Sequence, residues 1–157
     1  AEVLNVLRSK KKESPGKSFH FADRALDTST SGPLWLKEPP IARCVVEALQ
    51  RGAEQLGLFE LHAFVVMANH VHVLLTPKVP LARITRGLKR LTATRANELR
   101  GNKGQRFWQE ESFDHWVRDE SEFYRIREYI EQNPVKAGLV SKPEDWPWSS
   151  ASRSTGL

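Results

Sequence analysis

Residues 58–76 read LFELHAFVVMANHVHVLLT. Leu58 to Met67 reads as a strand, Ala68-Asn69 suits a tight turn, and His70 to Thr76 returns as a second strand, so the stretch predicts a β-hairpin. Successive side chains on a strand alternate between faces. His70 and His72 therefore share one face, while Val71 and Val73 point the other way, into a core. Two neutral imidazoles on a rigid strand can bind a divalent ion. The bland alternative is a half-buried strand with two surface histidines, a chance His-x-His in a chain with five histidines.

Before the hairpin, Pro39 and Pro40 suit a helix start. Ile41, Val45, Ala48, Leu49 and Leu56 recur at helical spacing, which predicts an amphipathic helix over 40–56 ended by Gly57. Phe19 to Leu26 predicts a first strand, followed by a loop at Thr28 to Gly32. Residues 1–18 read as a basic flexible arm: Lys10, Lys11, Lys12 and Lys17 sit in a stretch without apolar periodicity.

After the hairpin, Pro80 opens a helix whose buried stripe is Leu81, Ile84, Leu88 and Leu91. Arg83, Arg86 and Arg90 lie at i, i+3, i+7 on another face, with Lys89, Arg95 and Arg100 nearby. Such a stripe either tracks phosphates or is a solvated helix face. Gly101 to Gln105 reads as a basic loop, and part of Phe107 to Val117 as a strand. Its aromatics, Phe107, Trp108, Phe113 and Trp116, either stack bases or fill the core. Asp119 with Glu122 makes a capping-box-like start for a last helix, which Pro134 is expected to stop at Asn133. The order strand, helix, strand, strand, helix, strand, helix predicts an α+β fold. The expected form is a ferredoxin-like antiparallel sheet with helices packed on one face, plus an extra C-terminal helix that carries Tyr129. The domain is expected over 19–150, with 151–157 as a tail.

The last helix carries a second chemical signal. Tyr129 and Asn133 are four residues apart and so share a face, on one flank of the stripe made by Phe123, Ile126 and Ile130. Tyr124, the other of the two tyrosines, lies on the opposite flank. A tyrosine hydroxyl can attack a phosphodiester and become covalently linked to phosphorus. Asn133 can offer an amide oxygen to a hard metal ion. The alternative is a boundary tyrosine with one hydrogen bond and an asparagine at a helix end.

Composition narrows the partners. The 157 residues fit one domain, and 24 Lys and Arg against 19 Asp and Glu favour a polyanionic partner. No apolar run approaches the roughly 18 residues a membrane span needs, and no signal-peptide pattern is read at the start. The one cysteine, Cys44, excludes an internal disulfide and points to a reducing, cytoplasmic compartment. Metallohydrolases with a His-x-His pair usually carry a carboxylate soon afterwards; here Val73-Leu74-Leu75 follows.

Four segments together resemble the HUH transposases, and within them the REP-associated tyrosine transposases, relatives of the small single-tyrosine transposases of insertion sequences. Met67 to Leu75 is similar to the metal strand, Phe107 to His115 to a second block, Tyr129 to Val140 to the tyrosine helix and its exit, and Trp146-Pro147-Trp148-Ser149-Ser150 to the C-terminal signature. The resemblance covers about residues 19 to 150.

It implies a nickase and strand transferase acting on single-stranded, hairpin-forming DNA, a bacterial, nucleoid-associated protein. Tyr129 would be the nucleophile, forming a 5′-phosphotyrosine bond. His70, His72 and Asn133 would hold Mg2+ or Mn2+, asparagine being the REP-associated variant of a ligand that is typically glutamine in the insertion-sequence branch. Arg83, Arg86, Lys89, Arg90 and Arg95 are the expected DNA contacts. Two other classes stay open: a non-catalytic nucleic-acid-binding module, and a metal-dependent phosphodiesterase that uses water. Monomer and homodimer are both compatible with the sequence.

Overall fold

The hairpin forms as the sequence predicts, and the sheet is built around it. The computed structural model describes residues 2–9, 33–109 and 114–152. Its elements are β1 (Val3–Ser9), α1 (Pro39–Gln50, continued by a π turn over Arg51–Gln55), β2 (Phe59–Val66) and β3 (His70–Pro77). These are followed by α2 (Leu81–Leu99), β4 (Asp114–Val117) and α3 (Glu120–Lys136), with 3-10 turns at Trp35–Lys37 and Pro143–Asp145. Met67 N–H donates to His70 O at 2.9 Å and closes the Ala68-Asn69 turn. The π turn lets Gly52 lie against the Phe59 ring, where a Cβ would stand 2.7 Å from a ring carbon. Gly57 then ends the helix with φ 59°, a conformation that costs glycine nothing.

The strand order is β2-β3-β1-β4. β2 and β3 are antiparallel, with Val65 opposite His72. β1 runs parallel to both β3 and β4, with Asn5 opposite His72. The sheet is thus mixed where an antiparallel one was expected, since hydrophobic periodicity sets a strand's face but not its direction.

β1 also corrects the arm expected over 1–18. Leu4, Val6 and Leu7 are all buried, because a central strand covered on both faces loses the in-out alternation that would reveal it. Glu2, just before it, ties the strand to the chain after α2. Its N–H donates to Phe107 O at 2.8 Å, its carbonyl accepts from Gln109 N–H at 2.7 Å, and its carboxylate accepts from Trp35 N–H at 3.3 Å. The remainder of that arm, the strand expected at Phe19 to Leu26, the loop at Thr28 to Gly32, and Phe113 lie outside the described residues.

The two faces of the sheet carry separate cores. Val71, Val73 and Leu75 pack with Leu4, Val6, Phe64 and Val66 against Ile41, Val45 and Leu49 of α1 and Ile84 and Leu88 of α2. On the other face Leu74, Leu7, Ala63, Val65 and Val117 meet Ile126 and Ile130 of α3. Asp119 caps α3 by accepting from Glu122 N–H at 2.8 Å, a cap usually worth about 1 kcal/mol. Pro134 does not stop this helix. It stands in the last turn, where its missing N–H removes a single intrahelical bond. Ala137 N–H still donates to Asn133 O at 3.0 Å, so the helix runs on through Lys136.

The open edge of β2 is covered by the Trp146–Ser150 segment. Val66 N–H donates to Trp148 O at 2.8 Å, Ser150 N–H to Phe64 O at 2.9 Å, and Trp146 Nε1–H to Val66 O at 3.0 Å. Unpaired strand edges invite pairing with other chains, and this short antiparallel strap removes one.

A candidate active site between the hairpin and the last helix

The alternation of β3 places His70 and His72 on the face covered by α3, and both are buried, 1% and 0% exposed. Their ring centroids are 4.8 Å apart with the planes at 74°. They are therefore not the surface pair of the bland reading. His70 Nδ1 lies 2.6 Å from Asn69 Oδ1. An amide oxygen only accepts, so His70 carries its proton on Nδ1 and presents a lone pair at Nε2. Orienting the distal nitrogen of an imidazole through the other one is the usual way a histidine is prepared for a metal.

α3 supplies the other wall. Tyr129 meets His72 edge-on, with 6.0 Å between ring centroids. Asn133, one turn further on, is 1% exposed, and neither its Oδ1 nor its Nδ2 has a hydrogen-bond partner among the described residues. Leaving such a group unsatisfied in the interior costs about 1–3 kcal/mol. Tyr124 is 57% exposed and packs edge-on against Phe123, away from the imidazoles.

The residues fit a divalent ion. Two imidazole nitrogens and one amide oxygen are ligands that divalent ions take. Among the described residues no three His, Cys, Asp or Glu side chains come together; the buried Asn133 amide, with no hydrogen-bond partner among them, is an oxygen donor that a divalent ion could use.

Sequence reasoning passed over two neighbours. Asn69, which orients His70, is the residue before it. Lys136 holds its Nζ over the Tyr129 ring, 4.7 Å from the centroid. Its signal was the spacing i, i+4, i+7 from Tyr129 through Asn133, hidden by the expectation that Pro134 ends the helix.

The arginine stripe divides. Arg86, Lys89 and Arg90 line a groove of about 680 Å³ together with Arg106 of the following loop. Lys89 Nζ donates to Gln109 O at 2.7 Å, and burial lowers its pKa. Arg83 is exposed on α2 and is not among the residues of the groove wall. Arg95 turns toward α1 and pairs with Glu47 at 3.5 Å. Phe107 and Trp108 are buried at the groove floor, whereas Trp116 is 37% exposed. Trp108 Nε1–H donates to Thr92 Oγ1 at 2.8 Å, so these two rings are core residues that also shape the groove. The groove lies on the α1/α2 side of the sheet, opposite His70 and His72.

The family model for IS200-like transposases matches residues 36–133, a span that holds both histidines, the tyrosine and the asparagine. The chain belongs to the IS200-like transposase family. β1 lies outside the matched span. Curated relatives include a putative REP-associated tyrosine transposase of Haemophilus influenzae, 28% identical over 107 residues, and a REP-associated tyrosine transposase of Escherichia coli, 33% identical over 98. Each alignment covers 60% of this chain; the chain spans 60% of the first relative's length and 56% of the second's. The solved structure of a REP-associated tyrosine transposase bound to a REP hairpin is similar in fold, with a TM-score of 0.57 and 25% identity. That match covers 78% of this chain and 70% of the other. The chain thus shares the mixed α+β fold of that transposase. No helix among the described residues is long and apolar enough to cross a membrane.

Proposed function

We propose that this protein nicks and rejoins single-stranded DNA next to hairpins, with Tyr129 as the nucleophile. The observation that carries the reading is the burial of His70 and His72 on the sheet face that α3 covers, with Tyr129 edge-on to His72 and Asn133 buried one helical turn after it. The family membership and the similarity to a relative solved with a REP hairpin support DNA as substrate. Such an activity belongs at the chromosome, in a bacterial cytoplasm.

His70, His72 and Asn133 would hold Mg2+ or Mn2+, which supplies Lewis-acid stabilisation of charge on a phosphate. The tyrosine oxygen forms a bond to phosphorus while the bond from phosphorus to the 3′ oxygen breaks. The phenolic proton leaves to solvent, and the departing 3′ oxygen takes one up. The products are a 5′-phosphotyrosine and a free 3′-hydroxyl. Phosphodiester energy is retained in the new bond, so a 3′-hydroxyl can reverse the step or transfer the strand without a nucleotide cofactor. The chain's own contribution is placement: the strand fixes both imidazoles, Asn69 sets the tautomer of His70, and the helix holds the phenol ring against His72.

The test is a denaturing gel of the protein with a labelled hairpin oligonucleotide carrying single-stranded flanks, with and without Mg2+ or Mn2+. A covalent adduct is expected only with the metal ion. Binding without an adduct would instead mark a non-catalytic module, and cleavage that survives Tyr129→Phe would mark a water-using phosphodiesterase.

A further inference from the structure

We propose that Lys136 is a further catalytic residue, its ammonium group holding a non-bridging oxygen of the phosphate that Tyr129 attacks. The inference rests on the nicking reaction proposed above and concerns a residue that reading does not require.

Three observations place it. Lys136 is the last residue of α3, seven residues after Tyr129 and three after Asn133, so all three stand on one side of the helix. This alignment exists because the helix continues past Pro134. Its Nζ lies 4.7 Å from the centroid of the Tyr129 ring. Its side chain is exposed, and no carboxylate pairs with it among the described residues, so the charge is open to a ligand. A lysine in the last turn does oppose the helix dipole. That role needs only the position, though, and does not account for a side chain folded back over the one tyrosine that faces His72.

The chemistry follows from the geometry. When the phenolic oxygen attacks, negative charge builds on the non-bridging oxygens of the phosphate. An ammonium on a flexible four-carbon stem, with three rotatable donors, can follow those oxygens as the phosphate changes from tetrahedral to trigonal-bipyramidal. A cation aimed at charge that develops in the transition state accelerates the step more than it strengthens ground-state binding. The same interaction would persist in the 5′-phosphotyrosine and hold it for rejoining.

The test uses the full chain with Lys136→Met, Lys136→Arg and the wild type. The probe is a labelled hairpin oligonucleotide with single-stranded flanks, in Mg2+. Methionine keeps the aliphatic stem on the ring and removes the charge. Adduct formation under single-turnover conditions should slow about 10- to 100-fold in Lys136→Met. DNA affinity, measured in a Tyr129→Phe background, should change less than about threefold, and Lys136→Arg should recover most of the rate. A purely structural lysine would lower the unfolding temperature of Lys136→Met, and arginine would not selectively restore the rate. Wild-type rates in Lys136→Met overturn this inference and leave the nicking reading intact. Failure of the wild type to form any adduct overturns both.

Discussion

The phenol ring of Tyr129 stands edge-on to the imidazole of His72, at 72° between planes. One ring comes from a helix and the other from a strand more than fifty residues earlier, so the pairing exists only in the folded chain. Tyr124, by contrast, is 57% exposed beside Phe123.

Tyr129→Phe removes one oxygen and keeps this ring pairing. The variant should unfold within about 2 °C of the wild type, since a half-buried residue loses a single oxygen and keeps its ring. It should bind hairpin DNA normally and form no covalent adduct. Tyr124→Phe should form the adduct at the wild-type rate. An adduct absent only in the Tyr124 variant would reverse the assignment.

Asn133 separates stability from ion binding. Its buried amide has no hydrogen-bond partner among the described residues, so Asn133→Ala removes an unsatisfied group while opening a small cavity. The two effects are of similar size, and metal-free stability should change by no more than about 1 kcal/mol. Ligand binding to the native state raises its stability. Mn2+ should therefore raise the unfolding temperature of the wild type and leave that of Asn133→Ala and His72→Ala nearly unchanged. Differential scanning fluorimetry with a metal titration reads this directly. Equal shifts in all three proteins would remove the asparagine and the histidine from the ligand set. Imidazole nitrogens are softer than oxygens, so Mn2+ should act at lower concentration than Mg2+.

Neutralising Arg86, Arg90 and Arg106 should weaken binding to single strands and reduce the salt slope by about 0.7 for each phosphate that is no longer neutralised. Arg95→Gln should leave the slope unchanged, because that side chain is engaged with Glu47 on α1. Removing this pair should cost at most about 1 kcal/mol of stability. A fluorescence anisotropy titration at several salt concentrations decides the matter. If Arg95 carries the slope and the groove does not, the DNA path runs along α1.

Burial pushes the Glu2 carboxyl up to about 7 from 4.5. Below pH 4.5 it is protonated in the folded and unfolded chain alike, and stability is full. Between pH 4.5 and 7 the unfolded chain gives up its proton first, so stability falls as pH rises. The loss levels off above pH 7 at about 3 kcal/mol. Glu2→Gln should match the wild type near pH 4 and exceed it by roughly 2–3 kcal/mol at pH 8. Urea midpoints across this range test it; parallel curves for the two proteins would contradict it.

Strand and helix periods made the pairing of His70 with His72, and of Tyr129 with Asn133, readable before any coordinates. Each is a local relation fixed by backbone geometry. What joins the two pairs is tertiary packing of α3 on the sheet, and no local period reports that. β1 escaped because a strand buried on both faces does not alternate. Pro134 misled because its penalty depends on how many intrahelical bonds lie beyond it. Arg95 was grouped with Arg83, Arg86 and Arg90 by nearness in sequence. Five residues past Arg90, it has turned about 140° around the helix, and that rotation alone would have sent it to α1.

Ser150 bonds both to the backbone of Phe64 and, through its hydroxyl at 3.0 Å, to Glu131 of α3. A chain cut before residue 146 would leave the Phe64 and Val66 backbone groups without these partners, and its β2 edge would be open to a strand from a second molecule.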